Sequence, residues 1–147
     1  MKYLLTLLLT FICLNVYSQV KIINTTRWNL DTFSAKCCEE LKIEKAFIVI
    51  QEVKGLIYGK YFAVSYGNDG NYIIGISDRL FYEDSKEVIA HELVHISQLN
   101  SNELKILDNK TIGFRGALYQ VNVEDHINDP QEKEAIKEAK ILYANNR

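Results

Sequence analysis

DSKEVIAHELVHISQLN, residues 84–100, carries the pattern around which the rest of the chain can be read: His91-Glu92-Leu93-Val94-His95. At about 100° per residue, positions four apart lie a turn from each other on one helical face. Two imidazoles so placed can share one divalent ion, and Zn²⁺ suits such nitrogen ligands. Glu92 follows the first histidine, so its carboxylate is expected to reach water rather than the ion and to act as general base. The bland alternative is a surface helix with two solvated histidines. The flanking residues oppose it: Ile89, Leu93 and Ile96 fall on the side away from His91, and Val88, Val94 and Leu99 flank the histidines. A helix apolar on most sides is buried, which places His91 and His95 in an internal cleft.

A catalytic site of this kind needs a third protein ligand. The extended metzincin pattern is excluded, because it requires Gly at position 98 and His at position 101, where Gln98 and Ser101 stand. Three residues compete. His126 is the only other histidine, in an Asp/Asn-rich loop; Glu132 and Glu134 lie just after Asp129-Pro130. On a helix starting there, Glu132, Ala135, Ile136, Ala139, Leu142 and Tyr143 form one apolar face, while Glu134 falls about 200° away beside Lys137, Glu138 and Ile141. An unpaired charge in an apolar stripe is costly, so Glu132 is the expected ligand and Glu134 an ordinary surface residue. Two alternatives stay open: Glu132 completing a capping box with Asp129, and His126 as the ligand.

The remaining elements follow from periodicity and turn residues. A helix is expected over Asn29–Leu41 with Asn29 as N-cap, and a buried strand over Ala46–Val53. Strands over Leu56–Tyr66 and Tyr72–Ser77 flank a turn at Gly67–Asn71. The motif helix spans Asp84–Asn100, with Asp84 and Glu87 as a capping box. Leu104–Leu107 and Thr111–Val121 form a hairpin. The last helix runs from Asp129, as N-cap, to Ala144, with Pro130 at its first position. The expected architecture is α+β: a small, mostly antiparallel sheet with helices packed to one side.

The chain has 147 residues, 48% apolar and 24% charged, with a formal net charge of −2. That fits one folded domain and excludes a disordered chain. A pI near 5.9 provides no basic face for nucleic acid. Met1-Lys2 and the apolar run Tyr3–Val16 are too short for a spanning helix, which needs about 20 residues. They match a signal peptide, residues 1–18, cleaved after Ser18. A domain at 19–147 and a secreted or periplasmic location follow, with no membrane insertion after cleavage. A lipid anchor on Cys13 is disfavoured by the bulky Ile12 before it. Cys37 and Cys38 are adjacent, too close for an ordinary disulfide. Cys37 shares a stripe with Leu30, Phe33 and Leu41 and reads as core, leaving Cys38 as an intermolecular candidate.

HELVH on a buried helix, followed by Pro130-Gln131-Glu132-Lys133-Glu134-Ala135 on a later one, resembles small single-domain zincin metallopeptidases of the gluzincin type. Phe114-Arg115-Gly116-Ala117-Leu118-Tyr119 is similar to an aromatic-Arg-Gly-x-x-Tyr segment of related peptidases. The resemblance covers about Tyr72–Tyr143. It implies a zincin-like fold, with the sheet against the HExxH helix and a C-terminal glutamate helix. It also implies zinc held by His91, His95 and Glu132, and peptide-bond hydrolysis with Glu92 as general base. Extended peptides or flexible protein segments would be the substrates, lying along a sheet edge expected at Tyr72–Ser77. Tyr119 or His126 would stabilise the oxyanion. Many gluzincins carry Asp or Asn four residues after the ligand Glu, where this chain has Ile136, so the resemblance supplies no outer partner for a zinc histidine. The competing expectation is a non-catalytic secreted binding or scaffold module that keeps the fold and a structural zinc.

Overall fold

Ile48, Ile50, Ile74 and Ile76 are completely buried and share one face of a four-stranded sheet. The computed structural model describes residues 20–56, 63–108, 110–121 and 126–146. The expected signal peptide therefore lies outside the described residues, as does much of the expected strand Leu56–Tyr66. The strands are β1 (Lys21–Asn24), β2 (Phe47–Val53), β3 (Ala63–Asn68) and β4 (Asn71–Ser77), in the order β1-β2-β4-β3. The α+β class holds, but this sheet is not mostly antiparallel: β1–β2 and β2–β4 pair parallel, and only β3–β4 is antiparallel. The cause is connectivity. Helix α1 (Asp31–Glu40) crosses over between β1 and β2, and such a crossover yields parallel neighbours. β3 runs opposite to β2, and the tight turn after it restores the original direction in β4.

That turn is Asp69-Gly70, with φ of +48° and +80°, the left-handed pair that joins twisted strands in a two-residue loop. It is tighter than the five-residue turn expected at Gly67–Asn71. The strand order also corrects the expected substrate edge. Tyr72–Ser77 belongs to β4, which lies between β2 and β3; among the described residues the edge beside the motif helix is β3.

The motif helix α2 (Tyr82–Asn100) buries Ile89, Leu93 and Ile96 on the sheet's core face. It begins two residues before the expected start. Phe81 is the extended N-cap, no side chain caps it, and the Asp84–Glu87 box is not formed. α1 likewise starts after Leu30 rather than Asn29. Leu30, Phe33 and Cys37 enter the core as their spacing requires. Cys38 is buried too, at 2% exposure, so the intermolecular disulfide considered for it has no accessible sulfur.

The final helix α3 (Pro130–Asn145) packs on α2 through Ala135, Ala139 and Leu142. The two alanines permit close approach, which brings their neighbour Glu132 against α2. The segment between α2 and α3 forms three strands rather than one hairpin: β5 (Leu104–Ile106), β6 (Thr111–Phe114) and β7 (Ala117–Gln120), all antiparallel. Arg115 and Gly116, at φ +48° and +84°, make the tight β6–β7 turn. Leu104, Ile112 and Phe114 form a small second core against Leu99 of α2. Among the described residues no helix is long and apolar enough to cross a membrane.

Candidate metal centre

His91 and His95 project from α2 towards α3 with their rings edge to face, centroids 4.7 Å apart. Their Nε2 atoms are separated by 3.1 Å. The Glu132 carboxylate faces both, with Oε2 3.2 Å from His91 Nε2 and Oε1 3.0 Å from His95 Nε2. Two imidazole nitrogens and a carboxylate therefore converge on one point, and these three residues form a group that could hold a metal ion. Metal–ligand bonds of about 2.0–2.1 Å in a tetrahedron place neighbouring donors about 3.3 Å apart. The observed spacings fall within a few tenths of an ångström of that value, so the donor set fits.

The electrostatics point the same way. Burial pushes the Glu132 carboxyl up, but hydrogen bonds from His126, His91 and His95 more than offset it and hold the group well below the usual carboxylate range. Burial lowers His95; Glu132 foremost, with the Glu92 charge and the Gln98 hydrogen bond, together outweigh this and raise it. A buried anion ringed by imidazoles requires positive charge at its centre, supplied by ring protons or by a cation.

Glu92 and His95 are buried, at 7% and 8% exposure, and with His91, His126 and Glu132 they line a cavity of about 430 Å³. Apart from Ser65 and Gln131, the other walls are apolar. Ala63 and Val64 of β3 stand on one side; Leu104, Ile106, Ile112 and Val121 of the β5–β7 region stand on another. No significant match to this chain is found among protein-family models, curated proteins or solved structures. The functional reading therefore rests on the geometry of this site.

The other candidates separate cleanly. His126 lies in a short 3₁₀ turn, His126–Asn128, and is not one of the three converging donors. Its Nε2 meets Glu132 Oε1 at 2.8 Å and its Nδ1 meets Asp129 Oδ2 at 2.9 Å. The bond to Glu132 raises its pKa to about 9 against the lowering by burial, with Asp129 adding to the rise. Asp129 is the extended N-cap residue of α3 but makes no side-chain cap. Its carboxylate is engaged by His126, so the capping box with Glu132 is not formed. Tyr119 packs against the Leu104–Ile112–Phe114 cluster, outside the cavity lining.

Glu134 differs from expectation. It is no ordinary surface residue: Arg115 Nη1 and Nη2 bind its two oxygens at 2.7 and 2.9 Å. Gln98 is the residue that sequence reasoning missed. Only 3% exposed, it places Oε1 3.0 Å from His95 Nδ1, the outer contact that a ligating histidine needs. The available signal was its position three residues beyond His95, on the same helical face.

Proposed function

We propose that this chain is a secreted zinc metallopeptidase of zincin architecture that hydrolyses peptide bonds. One observation carries the reading: the carboxylate of Glu132 and the two Nε2 atoms of the HExxH histidines converge within 3.0–3.2 Å at a cavity that Glu92 also lines. His91, His95 and Glu132 would hold the ion, which supplies Lewis acidity and makes water a competent nucleophile at neutral pH. Glu92 accepts a proton from the attacking water at its carboxylate and returns it to the amine leaving group. His126, held by Asp129 through Nδ1, would serve a developing oxyanion by turning its Nε2 from Glu132, a role the packing of Tyr119 does not favour for that residue. The cavity's apolar walls suit a bulky hydrophobic side chain. Among the described residues, the edge of β3 not paired with β4 offers backbone groups to an extended peptide.

Glu92→Gln tests this. It should retain zinc, because Glu92 is not among the converging donors, and lose roughly 10²–10⁴-fold in turnover of a mixed peptide library. Wild-type cleavage should favour large apolar side chains beside the scissile bond. Wild-type turnover by Glu92→Gln would remove the general-base assignment. The contact of His126 with Glu132 favours one second reading, a closed structural zinc site with His126 as fourth protein ligand in a non-catalytic module. In that case purified zinc-loaded protein cleaves nothing, and His126→Ala loses the metal. Export is part of the proposal and is read from the intact mass, which should begin at Gln19.

A further inference from the structure

Beyond the metal-binding residues lies a chain of polar contacts running to the turn of the small sheet. His95 Nδ1 meets Gln98 Oε1 at 3.0 Å. Gln98 Nε2 donates to the Gln131 carbonyl and to Glu134 Oε1, each at 3.4 Å. Glu134 is gripped by both terminal nitrogens of Arg115, at 2.7 and 2.9 Å. Arg115 also reaches Glu103 at 2.8 Å. The path joins α2, α3 and the β6–β7 turn.

We infer that Gln98 is a positioning residue that selects which nitrogen of His95 faces the metal group, and that Glu134, clamped by Arg115, holds Gln98 in the required orientation. The inference rests on the metal-centre reading but not on peptidase activity.

The argument is a count of donors and acceptors. An amide has one acceptor end and one donor end, and its orientation follows from what surrounds it. The far end of Gln98 faces two acceptors, a backbone carbonyl and a carboxylate. Flipping the amide would set its oxygen against both and forfeit two hydrogen bonds. At 3% exposure water offers little replacement. The oxygen therefore faces His95, so Nδ1 must carry the hydrogen. Nε2, which donates to Glu132 in the metal-free chain, is then the nitrogen that gives up its hydrogen and turns a lone pair to an incoming metal, as a ligand requires. Removing Glu134 takes away one of the two groups that oppose the flip. Arg115 keeps the Glu134 carboxylate in place through a two-point grip, which a lysine could not reproduce.

The test uses the full-length exported protein and zinc alone, with no substrate. Zinc affinity is measured by competition with a chromophoric chelator. The protonated nitrogen of His95 is identified in the zinc-loaded protein from ¹⁵N histidine spectra. Wild type should show a slowly exchanging Nδ1–H on His95. Gln98→Leu should weaken zinc binding by about 10–100-fold, the usual cost of losing such an outer partner, and expose Nδ1–H to fast exchange. Glu134→Ala should produce a smaller loss in the same direction. Thermal melts of the metal-free variants confirm folding.

If Gln98→Leu does not fold, a charge swap serves. Gln98→Glu sets two carboxylates together and should weaken zinc binding. Adding Glu134→Gln restores a donor opposite residue 98 and should recover part of the affinity. A folded Gln98→Leu with wild-type affinity and a retained slow Nδ1–H would overturn the inference, as would a swap no better than Gln98→Glu alone. These zinc effects without peptide cleavage would uphold it and remove only the peptidase reading. Wild-type protein that binds no zinc would remove both.

Discussion

Glu132→Ala is the perturbation that most directly tests the metal centre. It removes the one anionic donor of the group, whose oxygens lie 3.2 and 3.0 Å from the two imidazoles. Loss of even an outer partner costs about 10–100-fold in metal affinity, so losing a direct ligand costs at least that much. Converted, this is roughly 1.4–2.7 kcal/mol of binding free energy. A metal that binds only the folded chain stabilises it by RT ln(1 + [L]/Kd), so at saturating free zinc the same amount disappears from the zinc-induced stabilisation. For a domain of roughly 130 residues, 1 kcal/mol moves Tm by about 3–5 °C. The zinc-induced rise in Tm should therefore shrink by about 4–13 °C in Glu132→Ala. The assay is thermal unfolding at buffered free zinc and with excess chelator, paired with metal stoichiometry on the same samples. An undiminished zinc-induced rise in Glu132→Ala, with its loss in His126→Ala, would refute the assignment and establish a three-histidine site.

Burial pushes the thiols of Cys37 and Cys38 up to about 12, so the reactive thiolate is nearly absent at pH 8. Both should resist a disulfide reagent in the native chain and react once it is unfolded. In the metal-free protein, His126 is raised from 6.5 to about 9, so between these values the folded chain binds more protons than the unfolded one. That contribution to stability is complete below pH 6.5 and is lost as pH rises through about 9. Melts under chelator should show Tm falling across this window, with a flatter profile in His126→Ala; identical profiles would count against the contact. At Gly67 an added Cβ would lie 2.0 Å from the Asn71 carbonyl oxygen, a backbone atom that cannot step aside, whereas at Gly55 it would meet nothing within 4 Å. Gly67→Ala should cost at least about 2 kcal/mol, and Gly55→Ala about 1 kcal/mol from its positive φ alone. Equal chemical-denaturation midpoints for the two variants would contradict the close approach of β3 and β4 at Gly67.

Properties set within a single segment were legible in the sequence. The four-residue spacing of His91 and His95 places both on one helical face whatever the helix packs against. The stripe of Glu132, Ala135, Ala139 and Leu142 assigns Glu132 to the buried side of α3 in the same way, and Leu30, Phe33 and Cys37 mark the inner side of α1. Pro130 marks the first residue of α3, since its missing N–H belongs where no intrahelical bond is needed. Relations between segments were not legible. β4 carries a near-continuous apolar run, Tyr72–Ile76, and β3 alternates apolar with polar or small residues, yet that contrast does not say which strand pairs with which; pairing with β2 makes β4 central. Gln98, Glu134 and Arg115 each read as ordinary polar residues in their own segments. They became parts of the candidate metal centre's surroundings only when α2, α3 and the β6–β7 turn met, at sequence separations of 36 for Gln98 and Glu134 and 19 for Arg115 and Glu134. Periodicity constrains the direction a side chain takes from its own helix or strand, but the partner it finds there depends on how the elements pack, and that only the tertiary structure decided.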